Sequence, residues 1–523
     1  MSVAAQGYCA DSPENIARRV DELLAAEVLA GKSVSPAADD QTFLRRLSFD
    51  LIGDLPTPEE VTAFVLDPST DKRRPAVETL LADPHFGQNW ARYWRDAILA
   101  RRTDERALRL SANSVTVYLT EQYNQGAGWD QIARAFITAE GDVQRRGDTA
   151  VIMAQEGKAS ETAAEMSRLL LGIQIQCAQC HDHPYDDWTR EQFHQLAAFF
   201  PRTSVRPKRN AVIRTFEVVA GDARLPRFAG RQQNFSLEHY MPDLENPQQR
   251  GTLMQPVLFV SGQSLEIGAS DQQRRATLAD WITAPQNPWF AKAYVNRIWS
   301  ELVGRGFYEP VDDLGENRDC LAPQTLDYLA GQFVAHAYDV KWLFRVITAT
   351  DAYQRPSRSR GGPADAPLAA NCPQPLRADQ LLNALTSALG VAEPPPRSGP
   401  DRPRLRLNNV RAQFNLAFGY DPSVSRDEVA ASISQALMLM NSPHIERAIK
   451  ATAQGNLLPA SRPSVADDEL KITEIYLRCL AREPTDNELA TCRDHIETSP
   501  NRRQAYEDLL WALVNSTEFR LRN

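Results

Sequence analysis

Apolar residues recur at three- and four-residue spacing along most of the chain, the period of helices with one buried face. Ile16, Val20, Leu23, Leu24 and Val28 mark such a stripe over 13–30, with Gly31 beyond its end. Phe43 to Gly53 reads as a second helix closed by its glycine. Pro56-Thr57-Pro58-Glu59-Glu60 then supplies an N-cap threonine, proline at the first helical position and glutamate at the third. Helices are expected over 71–82 and 88–100, the latter carrying Trp90 and Trp94. The other end echoes this punctuation with Thr485 and Glu488 after Pro484. In both places an arginine pair (Arg73-Arg74, Arg502-Arg503) and a leucine pair (Leu80-Leu81, Leu509-Leu510) follow. The echo reads as a repeated three-helix unit, with convergent helix punctuation as the alternative.

Further helices are expected over 188–200, 270–284, 288–303, 323–337, 339–352, 377–390, 427–440, 443–453, 465–481, 485–498 and 502–516. The period changes between residues 201 and 265. There Val212 to Val219 alternates like a strand, and Val257-Leu258-Phe259-Val260 reads as a second. Residues 356–376 and 393–406 are rich in proline, arginine and glycine and read as loops. The fold class is therefore mainly α: a multi-helix protein with a small β insert between two helical halves. The expected units are 1–200, 201–265 and 266–523.

Composition narrows the function classes. The 523 residues are 43 % hydrophobic and 24 % charged, ordinary for a globular protein. The net charge of −9 is spread without long runs, which argues against a nucleic-acid partner. No apolar run approaches the length of a membrane span. Met1 to Ala10 lack the basic and apolar regions of a signal peptide. Cys479 and Cys492 flank a helix–helix corner, as a disulfide or as two buried free thiols; Cys9, Cys320 and Cys372 are the remaining cysteines outside the main motif.

That motif is Cys177-Ala178-Gln179-Cys180-His181, followed by Asp182-His183-Pro184. C-x-x-C-H is the attachment signature of a c-type haem: two thiols reach the porphyrin edge and the imidazole becomes the proximal iron ligand. The spacing of Met166, Leu169, Leu170, Ile173 and Cys177 predicts one helix over 158–181, started by Thr162 with Glu165 and ended at Pro184. Zinc or a redox dithiol is the competing chemistry, but no second C-x-x-C or paired histidine follows. His183, beside proline, reads as a loop hydrogen-bonding residue. Met241 is the candidate distal ligand and His239 the imidazole alternative, whereas Met153, Met166, Met438 and Met440 read as core fillers. Arg202, Arg206, Lys208 and Arg209 could neutralise haem propionates or meet an acidic partner, or belong to a solvated loop. Asn296, Arg297, Asp312 and Asp313 read as a buried polar network or, more sharply, a catalytic constellation. Trp281, Trp289, Trp299 and Trp342 read mostly as core. No nucleophile elbow, phosphate loop or dinucleotide fingerprint is present.

Phe49-Asp50-Leu51-Ile52-Gly53-Asp54-Leu55-Pro56, His85-Phe86-Gly87 and the motif with Trp188-Thr189 resemble the planctomycete-type cytochrome c-like domain. Val295-Asn296-Arg297-Ile298-Trp299, Gly304-Arg305-Gly306, Pro310-Val311-Asp312-Asp313 and Arg377-Ala378-Asp379-Gln380 resemble its companion C-terminal domain of unknown function. The resemblance implies a periplasmic or secreted protein linked to haem, and implies no particular reaction. The expected cofactor is one covalent haem c at Cys177 and Cys180 with His181 as proximal ligand. The expected role is electron transfer with a redox partner protein. The alternatives are a haem-dependent oxidoreductase acting on a carbohydrate or other small-molecule substrate, or a non-enzymatic binding protein stabilised by metal at Cys177, Cys180, His181 and His183.

Overall fold

A computed structural model describes residues 12–208, 215–221, 237–358, 367–391, 410–424, 435, 438–440, 442–455 and 465–522. These form a mainly helical protein with small sheets of two or three strands. Local chemistry explains many of the helix starts. Thr57 and Thr485 each cap a helix, Pro58–Leu66 and Asp486–Thr498, with the glutamate three residues on returning a bond to the cap. Helices over 40–51, 73–82 and 84–99 at one end, and 465–480, 502–514 and 517–520 at the other, flank those capped helices. The longest helix, Glu105–Gln125, and its successor, Trp129–Thr138, were not foreseen. Asp104 caps the first and left-handed Gly126 ends it, but serine, threonine, asparagine and glutamine dilute its apolar stripe.

The strands concentrate in the central segment. Phe216–Ala220 is the middle of a three-stranded antiparallel sheet between Gly141–Asp142 and Thr203–Pro207, with Val205 opposite Val218. Two short antiparallel pairs follow, Tyr240–Met241 with Thr252–Leu253 and Val257–Leu258 with Gln263–Ser264.

Two apolar cores organise the helices. The larger draws on residues from Ile16 to Leu368, on both sides of the central segment, and buries Trp90, Trp94, Trp129 and Trp299. Its centre stacks Trp94, Trp129 and Tyr294, with Trp129 4.4 Å from Trp94 and 4.5 Å from Tyr294 between ring centroids. The smaller core joins Leu44, Phe49, Leu55 and Val61 to residues between Leu376 and Phe519. Helix Asp40–Leu51 serves both, and its buried polar residues find partners on distant segments. Arg45 donates to the carbonyls of Leu521 (2.8 Å) and Glu518 (3.0 Å). Asp50 accepts from Arg522 and from the Tyr353 hydroxyl, both at 2.8 Å. Buried charges require such pairing.

The open question of the cysteine pair is settled, and one expectation about side chains fails. Cys479 and Cys492 are free thiols, the first buried and the second half-buried with its sulfur 3.8 Å from the Tyr476 hydroxyl. Met440 is 48 % exposed and fills no core, whereas Met153 and Met166 are buried as expected. Cys9, Arg209, Arg214 and most of the helix expected over 427–440 lie outside the described residues. No helix among the described residues is long and apolar enough to cross a membrane.

Candidate functional site at the Cys177–His183 turn

The approach to the motif is helical only as far as Met166. The helix Ala159–Met166 widens into a π turn over Ser167–Leu171 and stops at Gly172, whose φ of 68° is left-handed. The single helix expected over 158–181 therefore breaks before the cysteines. Ser167 helps end it by donating its hydroxyl to the Ile173 carbonyl at 2.9 Å. A side chain at 172 would meet both the backbone strain and the Leu314 methyl, 3.0 Å from the position of a Cβ. Thr162 and Glu165 form no capping box. Both are buried, Lys158 holds the cap position, and Glu165 turns to Arg168.

The motif begins within a 3₁₀ segment, Ile175–Gln179, with Cys180 just past its end and His181 beyond. Cys177 lies inside this tight turn and Cys180 directly after it, three residues on. Both are exposed, while Ile175 and Ala178 between and before them are buried. His181 is also exposed, with Nδ1 2.7 Å from the Asp182 carbonyl oxygen. A carbonyl can only accept, so Nδ1 carries a proton and, in the neutral ring, Nε2 is the atom left to bind a metal.

The loop after the motif is closed by its own polar groups. The Asp182 carboxylate accepts from the backbone N–H of Arg190 at 2.8 Å, on the first turn of the helix Arg190–Ala197, which Thr189 and Gln192 cap reciprocally. His183 accepts at Nδ1 from the Tyr185 N–H at 3.3 Å. Its own N–H donates to the Trp188 carbonyl at 2.8 Å. Burial and then Arg318 hold its imidazole below the usual histidine range, against Asp186 and Asp313. His183 is a loop hydrogen-bonding residue, as its place beside proline suggested.

From below, the turn is anchored by the C-terminal half. Gly172 accepts from the Leu314 N–H at 2.7 Å. Gln174 donates from Nε2 to Asp312 at 2.8 Å, immediately before the 3₁₀ segment. Asp312 is fully buried and also accepts from Arg168 at 2.8 Å, with Arg297 3.5 Å away. Burial alone would raise its carboxyl, but Arg168, Arg297 and Arg101 hold it at about 2. Ser423 accepts from both Arg168 (2.8 Å) and Arg297 (3.0 Å), which ties a third segment into the cluster. Asn296 braces the adjoining loop by accepting from Phe307 and Tyr308 and donating to the carbonyls of Tyr308 and Val311. Asn296, Arg297 and Asp312 are thus members of a buried polar network beneath the motif. Asp313 stands at its edge, half-buried and paired with Arg318 at 3.1 Å, whose guanidinium lies over the exposed Tyr185 ring.

The central segment reaches the same place. Arg190, besides binding Asp182, donates from Nη2 to the Pro242 carbonyl at 2.5 Å. This brings the hairpin carrying half-buried Met241 to the motif side of the molecule. Of the basic cluster read as serving haem propionates, an acidic partner or a solvated loop, the described members have partners within the protein. Arg202 pairs with Glu238, Lys208 with Asp142, and Arg206 donates to Ser204. Those cations stabilise the sheet and the insert.

The donor set fits a covalent haem: two exposed thiols three residues apart, and beside them an exposed imidazole bonded through Nδ1, leaving Nε2 as the ligating atom. Among the described residues, no group of three or more histidine, cysteine or acidic side chains comes together as a metal site. Sequence reasoning missed Arg168, Gln174 and His194, gave Glu165 a capping role in place of its pairing with Arg168, and gave Gln179 none. Arg168 was legible as a lone charge within Met166-Ser167-Arg168-Leu169-Leu170-Leu171, and His194 as an imidazole between the apolar positions Phe193 and Leu196.

The site is thus the seam of a mainly helical two-part protein. Residues 19–205, which contain the motif, match the family described as Protein of unknown function (DUF1549), PSCyt2. Residues 274–403, which contain Asn296, Arg297 and Asp312, match the family described as Protein of unknown function (DUF1553), PSD1. Their order agrees with the two-domain planctomycete-type arrangement. No curated protein and no solved structure matches the chain.

Proposed function

We propose that this chain is an extracytoplasmic c-type cytochrome-like protein that transfers single electrons, with one haem joined to Cys177 and Cys180 and with His181 as proximal ligand. The observation that carries the reading is the tight turn at and just past the 3₁₀ segment, where two exposed thiols three residues apart stand beside an exposed imidazole bonded only through Nδ1. Bound there, the iron would supply a reversible one-electron couple tuned by its axial ligands. The protein's own residues do the positioning. Asp182 holds the His181 tautomer through its carbonyl, and Gln174 fixes the start of the turn against Asp312. Met241 is the proposed sixth ligand, because its hairpin is drawn toward Asp182 by Arg190. Attachment of this kind follows export, which puts the mature protein outside the cytoplasm.

The test is expression with export and a haem-maturation system. Wild type should give a haem-stained band after denaturation and a c-type pyridine haemochrome. Changing Cys177 and Cys180 to alanine together should abolish the band. A wild type that never stains overturns the reading.

A further inference from the structure

Two imidazoles outside the ligand set lie behind the motif turn. His194, on the Arg190–Ala197 helix, is 2 % exposed. Its Nε2 is 3.1 Å from the carbonyl oxygen of Gln179, within the C-x-x-C itself. Its Nδ1 is 2.9 Å from Nε2 of His239, and the two rings lie edge to edge, 25° apart in plane, with centroids 5.1 Å apart. The direction of this chain follows from the atoms at its end. A carbonyl oxygen only accepts, so His194 must carry its proton on Nε2. A neutral ring protonated there has a bare Nδ1, so His239 must donate from its own Nε2. One tautomer of each ring satisfies both bonds. Burial pulls both imidazoles below the usual histidine range, His239 to about 4 with His194 adding to the effect. For His194 the Gln179 bond opposes burial and Arg190 reinforces it.

Gln179 ends the 3₁₀ segment, where backbone carbonyls lose their intrahelical partners. His194 supplies one. The turn is therefore held at both ends, by Asp312 through Gln174 before it and by His194 through Gln179 inside it.

We propose that His194 is a positioning residue for the motif. Through the Gln179 carbonyl it holds the turn that presents Cys177, Cys180 and His181 together, and His239 fixes the tautomer that makes this bond. The inference rests on the haem reading for its purpose, but its first readouts need no haem.

In the haem-free full chain, ¹⁵N-detected imidazole spectra should show Nε2–H tautomers for both rings. His194→Phe keeps the ring packing and removes both bonds. Amide hydrogen exchange over 174–183 should then speed up roughly ten-fold, the scale of one lost hydrogen bond. His194→Gln places an amide N–H where Nε2–H stood and should restore wild-type exchange. His239→Leu leaves His194 in place and releases its tautomer, so an Nδ1–H form should appear with faster exchange. That variant also decides the matter if His194→Phe fails to fold. In loaded protein, covalent haem yield should fall several-fold in His194→Phe and recover in His194→Gln. Wild-type exchange in the phenylalanine variant, failure of glutamine to restore it, an unchanged tautomer in His239→Leu, or Nδ1–H rings in wild type overturns the proposal. A wild type that takes up no haem overturns the haem reading instead, while the exchange and tautomer results still decide what His194 does.

Discussion

Gln174 donates a 2.8 Å hydrogen bond to Asp312, 138 residues away in sequence, and so fixes the start of the motif turn on the opposite half of the molecule. Asp312 is the hub of that joint, serving Arg168, Arg297 and Gln174 with one fully buried carboxylate. Asp312→Asn keeps the shape and removes the charge. Breaking a buried pair from one side leaves uncompensated cations and costs about 3–5 kcal/mol. Urea unfolding should register this loss, and a change under about 1 kcal/mol would contradict the role assigned to the cluster.

Met241 is tested by its spectrum. Oxidised wild type carrying haem should show the weak near-infrared band of sulfur–iron(III) coordination, and Met241→Ala should lose it. Ready binding of carbon monoxide or cyanide by wild type would instead mark an open iron and favour an oxidoreductase.

The two capping boxes are expected to behave alike. Thr57→Ala and Thr485→Ala each remove an N-cap acceptor for Glu60 and Glu488 respectively. Each should cost roughly 0.5–2 kcal/mol, measured by thermal or denaturant unfolding. Serine at either position should recover most of the loss.

Asp21 gives a pH dependence with a definite sign. Burial pushes its carboxyl up to about 7, although it accepts from the Asp351 N–H at 2.9 Å. The folded pKa lies above the unfolded one, so the protonated form favours folding. Its contribution is complete below about pH 4 and is lost as pH rises through about 7. Unfolding free energy should therefore fall between pH 5 and pH 8 by an amount on the order of 1 kcal/mol or more. Asp21→Asn should flatten that part of the profile. An identical profile in the variant would refute the assignment.

Cysteine chemistry separates the thiols. Burial raises the Cys479 thiol to about 12, so native protein at mildly alkaline pH should leave it unalkylated. Cys177 and Cys180, both exposed, should react in the haem-free chain before unfolding. Labelling of Cys479 in folded protein would show that the smaller core opens.

Much of the helical architecture was legible because its signals are local. Thr57 with Pro58 and Glu60 specifies a helix start from four neighbouring residues, and the structure builds that cap. The motif turn was misread for the opposite reason. Met166, Leu169, Leu170 and Ile173 do keep helical spacing, yet Gly172 and Ser167 end the helix through contacts with Leu314 and Ile173. Periodicity reports which residues are buried; it does not register a left-handed glycine packed against a distant segment. The Glu105–Gln125 helix was passed over because its buried residues are spaced among polar ones on a long, two-sided surface. The cysteines and His181 were legible as a chemical pattern. Their supports were not, since Gln179, His194 and His239 acquire a role only when the central hairpin folds back on the turn.

The pairing of the helix Asp40–Leu51 with residues 518–522 has a consequence for synthesis. Arg45 and Asp50 emerge from the ribosome more than 450 residues before their partners at Glu518, Leu521 and Arg522. Until then one charged face of that helix cannot be buried without penalty, and the smaller core cannot close. The order of translation thus holds back closure of the smaller core until residues 518–522 have been made, while the larger core depends on none of them.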